Sequence, residues 1–402
     1  MARILRVSLF FLALSLSAQV KVQLGPARLV AAGPSEEHRW GRWQFPSLEA
    51  GTNGELLLFV HVEPDSAASY GKARKIYVST NNGRTWREDP GAPKRPYGLL
   101  LPNGERLRTD TVPATPITQI PLPTQHAERV SYKTPFQLYL LNDLPSQLRN
   151  IFFQRYTTRW TPESHPLNDP EALRYATGGL IPQIWWGDIK VLKDNSLVAL
   201  TYPYYHASQP SPYTSAASYR SADNGNTWQK IGHILYNEPD RRRDGFTEPA
   251  LELLPSGDLL AILRTTDGNG LGPMYKALSH DQGRTWSKPE AFTETGVLPR
   301  LLQLKNGVLV LASGRPGVDL RFSTDYGQTW SPPTTLVPVP DKSKIQADSC
   351  GYTSLLPLGK DRFLIAYSWF TPPSGSKSIY VREVRVRRTT EHLRVQPRET
   401  PE

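Results

Sequence analysis

SADNGNTW, residues Ser221–Trp228, recurs almost unchanged as STNNGRTW at Ser79–Trp86, SHDQGRTW at Ser279–Trp286 and STDYGQTW at Ser323–Trp330. The shared pattern is S-x-D-x-G-x-T-W, with Asn81 in place of the aspartate in the first copy. Four such copies mark a fold assembled from one supersecondary unit. Within each copy, Gly accepts positive φ, the Asp or Asn side chain bonds to nearby backbone N–H groups, and the Trp is large enough to be buried, which is the chemistry of a turn between strands.

Upstream of each copy stands an apolar segment, a polar turn and a second apolar segment: FPSLEAGTNGELLLFVHV, WGDIKVLKDNSLVALTYP, TEPALELLPSGDLLAILR and VLPRLLQLKNGVLVLASG. A fifth hairpin, GYTSLLPLGKDRFLIAYS, has no following motif. Strands of about six residues are expected. The motif serines lie 142, 58 and 44 residues apart, and the first interval leaves room for another unit, with residues 98–165 as its source. Four-stranded antiparallel units repeated around a ring make a β-propeller. The expectation is an all-β, six-bladed β-propeller of four-stranded antiparallel blades with Asp-box hairpins, over residues 19–402. Residues 93–180 are read as a blade carrying long irregular loops. The 37 prolines argue against helices.

The first residues, MARILR followed by an apolar run from Val7 to Leu16 and then Ser17-Ala18-Gln19, have the three zones of a secretory leader. A cleaved signal over residues 1–18 and a secreted or periplasmic chain are expected, without membrane insertion of the mature chain. Cys350 is the single cysteine, which excludes an internal disulfide and a cysteine metal site. The formal charge of +10 favours anionic glycans or surfaces. Its basic residues are scattered, and nucleic acid is not expected as a partner. Arg241-Arg242-Arg243 is read as a solvated loop. His61, His206 and the other histidines lack metal-ligand spacing, no phosphate loop or dinucleotide turn appears, and no cofactor or metal is expected.

Hairpin counting separates the two ends of each unit. In TEPALELLPSGDLLAILR the turn centres on Ser256-Gly257, so Glu248 and Arg264 lie together at the open end. The next strand runs back, which puts Ser279–Trp286 at the turn end and makes the repeated motif structural. By the same count Tyr352, Arg315, Gln44 and Asp65 fall at the open end. Trp185, Trp186 and Trp369 are candidates for stacking on a sugar or for core packing.

At these residues the chain resembles the exo-sialidase superfamily of Asp-box propellers. TEPALELLPSGDLLAILR is similar to the family segment whose Glu assists the nucleophile and whose Arg binds the substrate carboxylate, which implies those roles for Glu248 and Arg264. SGRPGVDLRFSTDYGQTW resembles the stretch supplying a second such arginine, here Arg315, and GYTSLLPLG the one supplying a nucleophilic tyrosine, here Tyr352. The resemblance implies a retaining exo-glycosidase acting on a terminal sialic acid or related acidic sugar of a glycan or sialoglycoconjugate. Asp65 would be the acid/base, with Glu63 the nearest substitute. A sialoside carries a carboxylate on its anomeric carbon, so a neutral phenol avoids the repulsion a carboxylate nucleophile would meet. Where the family has Arg-Ile-Pro this chain has Gln44-Phe45-Pro46, so one carboxylate-binding arginine is missing there, with Arg42 or Arg39 as replacements. Two other readings stay open: a glycosidase for a different acidic sugar, and a non-catalytic glycan-binding propeller. A monomer is expected.

Overall fold

The computed structural model describes residues 20–389 apart from 38, 92–93, 132–133, 210–212, 239–243, 266–271, 340–350 and 373–374. The leader expected over residues 1–18, the Arg241–Arg243 cluster and Cys350 lie outside the described residues. The described chain is all-β, made of antiparallel sheets, and no α-helix occurs among the described residues.

The hairpin containing Glu248 shows how the repeat folds. Strands Thr247–Leu253 and Leu259–Arg264 pair antiparallel, with Leu253 opposite Leu259. Gly257 makes the turn at φ 97°, where a side chain would be strained, and its N–H donates to the Leu254 carbonyl at 2.9 Å. Every residue of Leu259–Arg264 is buried, as expected of a strand covered on both faces. Met274–Ser279 then returns towards the turn, and Glu290–Ala291 completes four strands. The same order recurs in Gln44–Ala50, Leu56–His61, Lys75–Ser79 and Arg87–Glu88, and again in Val297–Gln303, Leu309–Gly314, Val318–Ser323 and Thr334–Val337.

Another sheet joins the two ends of the described chain. Thr353–Pro357, Arg362–Trp369 and Ser378–Arg388 come from the C-terminal side, and Val20–Leu24 and Arg28–Ala32 both pair with Ser378–Arg388. Of the remaining strands, Thr115–Pro116 and Leu180–Ile181 pair as a two-stranded sheet and the others form one eleven-stranded sheet. It contains two antiparallel runs of four, Leu99–Leu100 to Trp160–Asn168 and Trp186–Val191 to Trp228–Ile234, linked by a short parallel contact of Leu167 and Asn168 with Trp228 and Gln229. Ala127–Ser131, Thr134–Leu140 and Ala172–Ala176 extend this sheet from the irregular region.

Apolar clusters join each sheet to the next. Leu57, Phe59 and Val78 pack on Tyr97; Leu107 and Phe153 on Leu197 and Trp228; and Leu200 and Ala216 on Leu251 and Leu263. Further on, Ala250 and Ile262 meet Leu309 and Leu311, Val310 and Phe322 meet Phe363 and Val384, and Leu364 and Ala366 meet Leu58 and Val60, where the series began. Trp228 is fully buried. Burying such a ring removes roughly 200 Å² from water, worth at most about 5 kcal/mol.

The repeated motif folds into a self-satisfied turn. In Ser221–Trp228, the Ser221 hydroxyl donates to Asp223 Oδ1 at 2.8 Å, the Thr227 N–H to the same oxygen at 2.9 Å, and the Thr227 hydroxyl to Asp223 Oδ2 at 2.7 Å. Trp228 Nε1 donates to the Gly225 carbonyl at 3.0 Å. Both oxygens of the acid are thus used by its own loop. Ser79, Ser221, Ser279 and Ser323 pair with Leu56, Leu197, Leu259 and Leu309 at the turn end of their hairpins, away from the end that carries Arg264.

Candidate active site

Three hairpins share a backbone irregularity at their open ends. The register slips between Gln44 and Ser47, between Thr247 and Ala250, and between Val297 and Arg300. The residues in the slips, Phe45, Glu248 and Leu298, have φ of 50°, 44° and 42°. Each is followed by a proline: Pro46, Pro249 and Pro299. A left-handed residue with a side chain costs on the order of 1 kcal/mol, and such bulges re-aim side chains. Counted from the hairpin midpoints, Phe45, Trp186, Glu248, Leu298 and Tyr352 hold the same position. The fold therefore delivers one side chain from each of five hairpins to the same end.

Glu248 has both carboxylate oxygens engaged. Arg264 Nη1 donates to Oε1 at 2.5 Å, and the Leu298 N–H donates to Oε2 at 2.8 Å. Leu298 packs in turn in a cluster with Tyr352, Val297 and Phe370. Tyr352 is 3% exposed, its ring 4.3 Å from Phe45 and edge-on to Trp40 at 6.1 Å. Its backbone N–H donates to Ser368 Oγ at 2.9 Å. Arg315 is buried, with φ 46°, and its guanidinium carbon lies 5.4 Å from the Trp40 ring centroid.

Asp65 joins this group through Trp40, whose indole Nε1 donates to Asp65 Oδ2 at 3.1 Å. The Asp65 N–H returns a bond to the Trp40 carbonyl at 3.3 Å. The Asp65 side chain is open to water at its edge, yet the surrounding atoms crowd it enough to lift its carboxyl above the usual range. Desolvation is the main cause and the nearby Glu248 adds to it, while Trp40, His61 and Arg264 pull the other way. Glu63 instead lies 3.8 Å from both Arg42 and Lys72. Asp65, Arg315 and Tyr352, from separate sheets, thus meet at one indole, and Glu248 with Arg264 is tied to the Tyr352 cluster through Leu298.

Other candidates lie elsewhere. Gln44 is fully buried, and its Oε1 accepts the Gly41 N–H, so that oxygen serves its own turn. Arg42 lies 3.6 Å from Glu37 and 3.8 Å from Glu63, and Arg39 forks onto Glu37, so both are committed to carboxylates of the chain. Glu37 is held down to about 2, mainly by its bond from Arg39. Trp186 is 38% exposed and edge-on to Tyr70. Trp185 is core, packed on Phe153, Tyr219 and Trp228, and Trp369 packs on Tyr380. Sequence reasoning missed Trp40, which sits in an irregular stretch without periodicity; the repeated x-Pro at the hairpin openings was the available signal for the bulges.

One cluster has the donor set of a metal site. Asp169, Glu171 and His206 bring ligand atoms within 4.8 Å of one another. The Lys230 ammonium sits there, bonded to Glu171 and lying 3.2 Å from His206 Nδ1, while Tyr219 donates to Asp169 at 2.6 Å. Burial, with help from His233 and Lys230, keeps His206 neutral. A lysine thus occupies the place a cation would take.

Residues 167–359 match the family model of the BNR repeat-like domain. No curated protein matches the chain. Among solved structures, a protein of unknown function from Dyadobacter fermentans is 19% identical with a TM-score of 0.64, over 91% of this chain and 99% of that one. A mutant of NanB sialidase from Streptococcus pneumoniae is 12% identical with a TM-score of 0.54, over 90% of this chain and 70% of that one. An alpha-L-arabinanase from Penicillium chrysogenum is 18% identical with a TM-score of 0.51, over 89% and 98%. At these identities the likeness is one of fold. The repeat family and these folds are consistent with the sialidase superfamily that the motifs resemble.

Proposed function

We propose that this chain is a secreted retaining exo-glycosidase on a six-bladed β-propeller, releasing a terminal sialic acid or related acidic sugar from a glycan. The observation that supports the reading is the meeting of Asp65, Arg315 and Tyr352 at Trp40, with the Glu248–Arg264 pair tied to the Tyr352 cluster through Leu298. The closed series of apolar clusters between sheets supports the ring, and the three-zone N-terminus supports export.

In this mechanism the Tyr352 hydroxyl attacks the anomeric carbon and passes its proton to Glu248. Full deprotonation of a phenol at pH 7 costs on the order of 4 kcal/mol, which is why a proton acceptor at the moment of attack is needed. Arg264 and Arg315 bind the substrate carboxylate with planar forks that stay charged when desolvated. Asp65, with its carboxyl raised, donates a proton to the leaving oxygen and then activates water against the tyrosyl–sugar bond, giving net retention. Because Tyr352 is covered by Phe45 and Trp40, the substrate must shift at least one of these rings.

Incubation with an aryl sialoside tests the assignment. The wild type should release the phenol, and Tyr352→Phe should lose turnover while keeping its melting temperature; unchanged turnover in that variant removes the nucleophile. A second reading, hydrolysis of a different acidic sugar, is favoured by the uncharged Gln44 where a third arginine would stand. A panel of acidic aryl glycosides separates the two.

A further inference from the structure

Beside the gathered residues lies a second cationic patch that the sequence motifs do not contain. Arg108, on strand Arg106–Thr109, lays its guanidinium against a pair of touching rings, 4.8 Å from the Tyr97 centroid and 4.7 Å from that of Trp160, rings that also pack with Ile76 of the strand following Arg74. Aromatic faces on a guanidinium fix its plane and leave its N–H edge for a partner. Arg108 Nε is buried with no hydrogen-bond partner among the described residues. Arg74, just before strand Lys75–Ser79, is exposed and its side chain makes no ion pair or hydrogen bond among the described residues.

Both arginines feel the same two carboxylates, Asp110 and Glu49, yet neither forms an ion pair with them among the described residues. Asp110 accepts instead from Gln154 Nε2 at 2.6 Å and from the Thr111 N–H at 3.0 Å. Burial pushes the Glu49 carboxyl up to about 7 against the pull of Arg108, so near neutral pH it carries only part of a charge. The patch keeps a positive surplus. It borders the proposed mouth, because Val60 pairs with Lys75 and so sets Arg74 across from His61, which packs edge-on to Phe45 at 5.7 Å.

We propose that Arg74 and Arg108 form an anion subsite for a carboxylate or sulfate on the sugar adjoining the one in the mouth, so that the ligand is an oligosaccharide with at least two acidic groups. A planar fork with unmet N–H groups in a partly desolvated place gains more from an oxyanion than an exposed lysine would. The formal charge of +10 draws such polyanions to the surface. The subsite's position rests on the glycosidase reading, whereas its binding chemistry does not.

The test is calorimetric titration of the full chain carrying Tyr352→Phe, which removes turnover from the measurement. The probes are a tetragalacturonate, its fully methyl-esterified form and a sulfated chondroitin tetrasaccharide. At least one anionic probe should bind and the ester should not; because chondroitin carries uronate carboxylates as well, loss of its binding on desulfation assigns sulfate and retention assigns carboxylate. Adding Arg74→Gln, or Arg108→Gln, should weaken binding at least about tenfold, and Arg108→Lys should not restore it. Arg387→Gln, on a side chain 64% exposed at another sheet, should change nothing. Arg74→Gln keeps the test open if Arg108→Gln fails to fold. Equal binding of acid and ester, no binding of either anionic probe, or binding indifferent to Arg74 overturns the subsite. Arg74-dependent binding without any glycoside turnover in the wild type keeps the subsite and discards the glycosidase.

Discussion

The indole N–H of Trp40 is bonded to the Asp65 carboxylate at 3.1 Å. This donor stabilises the charged carboxylate and offsets part of the desolvation that raises its protonation range. Trp40→Phe keeps an aromatic ring over Tyr352 but removes the donor. The Asp65 carboxyl should therefore titrate higher, and the alkaline limb of the kcat/KM pH profile, which reports the acid that must be protonated, should move up. A limb that stays where it is, with activity retained, excludes Asp65 as that acid.

Glu248→Gln should cost both activity and stability. The pair with Arg264 is largely buried, with side-chain exposures of 18% and 8%, so losing the carboxylate takes the charged partner from a buried guanidinium. Removing one partner of a buried pair costs roughly 3–5 kcal/mol. Denaturant titration should show a lower midpoint with an unchanged slope. A loss below about 1 kcal/mol would show that water reaches Arg264 freely.

The turn acid Asp281 is held at about 2: burial alone would raise it, but its bonds from Thr285 and Ser279 outweigh that effect. Its folded value is below the unfolded one, so its stabilisation is present above about pH 4 and is lost as pH falls towards 2. Asp281→Asn should lower stability at pH 7 and flatten the loss across that window in acid-unfolding curves.

Glu49 has the opposite sign. Raised from 4.5 to about 7 by burial, it binds more protons folded than unfolded in that interval, so its contribution to stability falls as pH rises through it. Glu49→Gln should remove that slope and raise the melting temperature at pH 8 relative to the wild type. A steeper slope in the variant would mean the carboxyl is charged and paired.

The repeats were legible because local chemistry wrote them. A Gly at positive φ, an Asp that bonds its own turn and a buried Trp are each set within eight residues, and hairpin counting correctly separated Ser279 from Arg264. The same count put Glu248 beside Arg264 but missed the slip between Thr247 and Ala250, since a bulge is a backbone choice with no dedicated residue type. Trp40 was invisible because its role depends on four partners far away in sequence. Trp185 and Trp186 are neighbours in sequence, yet one is core and the other exposed, because successive residues near a strand face opposite ways. The further unit read over residues 98–165 is present as the four strands from Leu99–Leu100 to Trp160–Asn168, whereas the pairing of Thr115–Pro116 with Leu180–Ile181 was unreadable, because two-residue strands carry no periodicity.

Val20–Leu24 and Arg28–Ala32 lie against Ser378–Arg388, so the first strands described and the last are knitted into one sheet. Such a clasp cannot be fastened until Ser378–Arg388 has left the ribosome, and the strands near residues 20–32 wait unpaired until it does. A chain cut before that segment leaves those strands without the one they pair with.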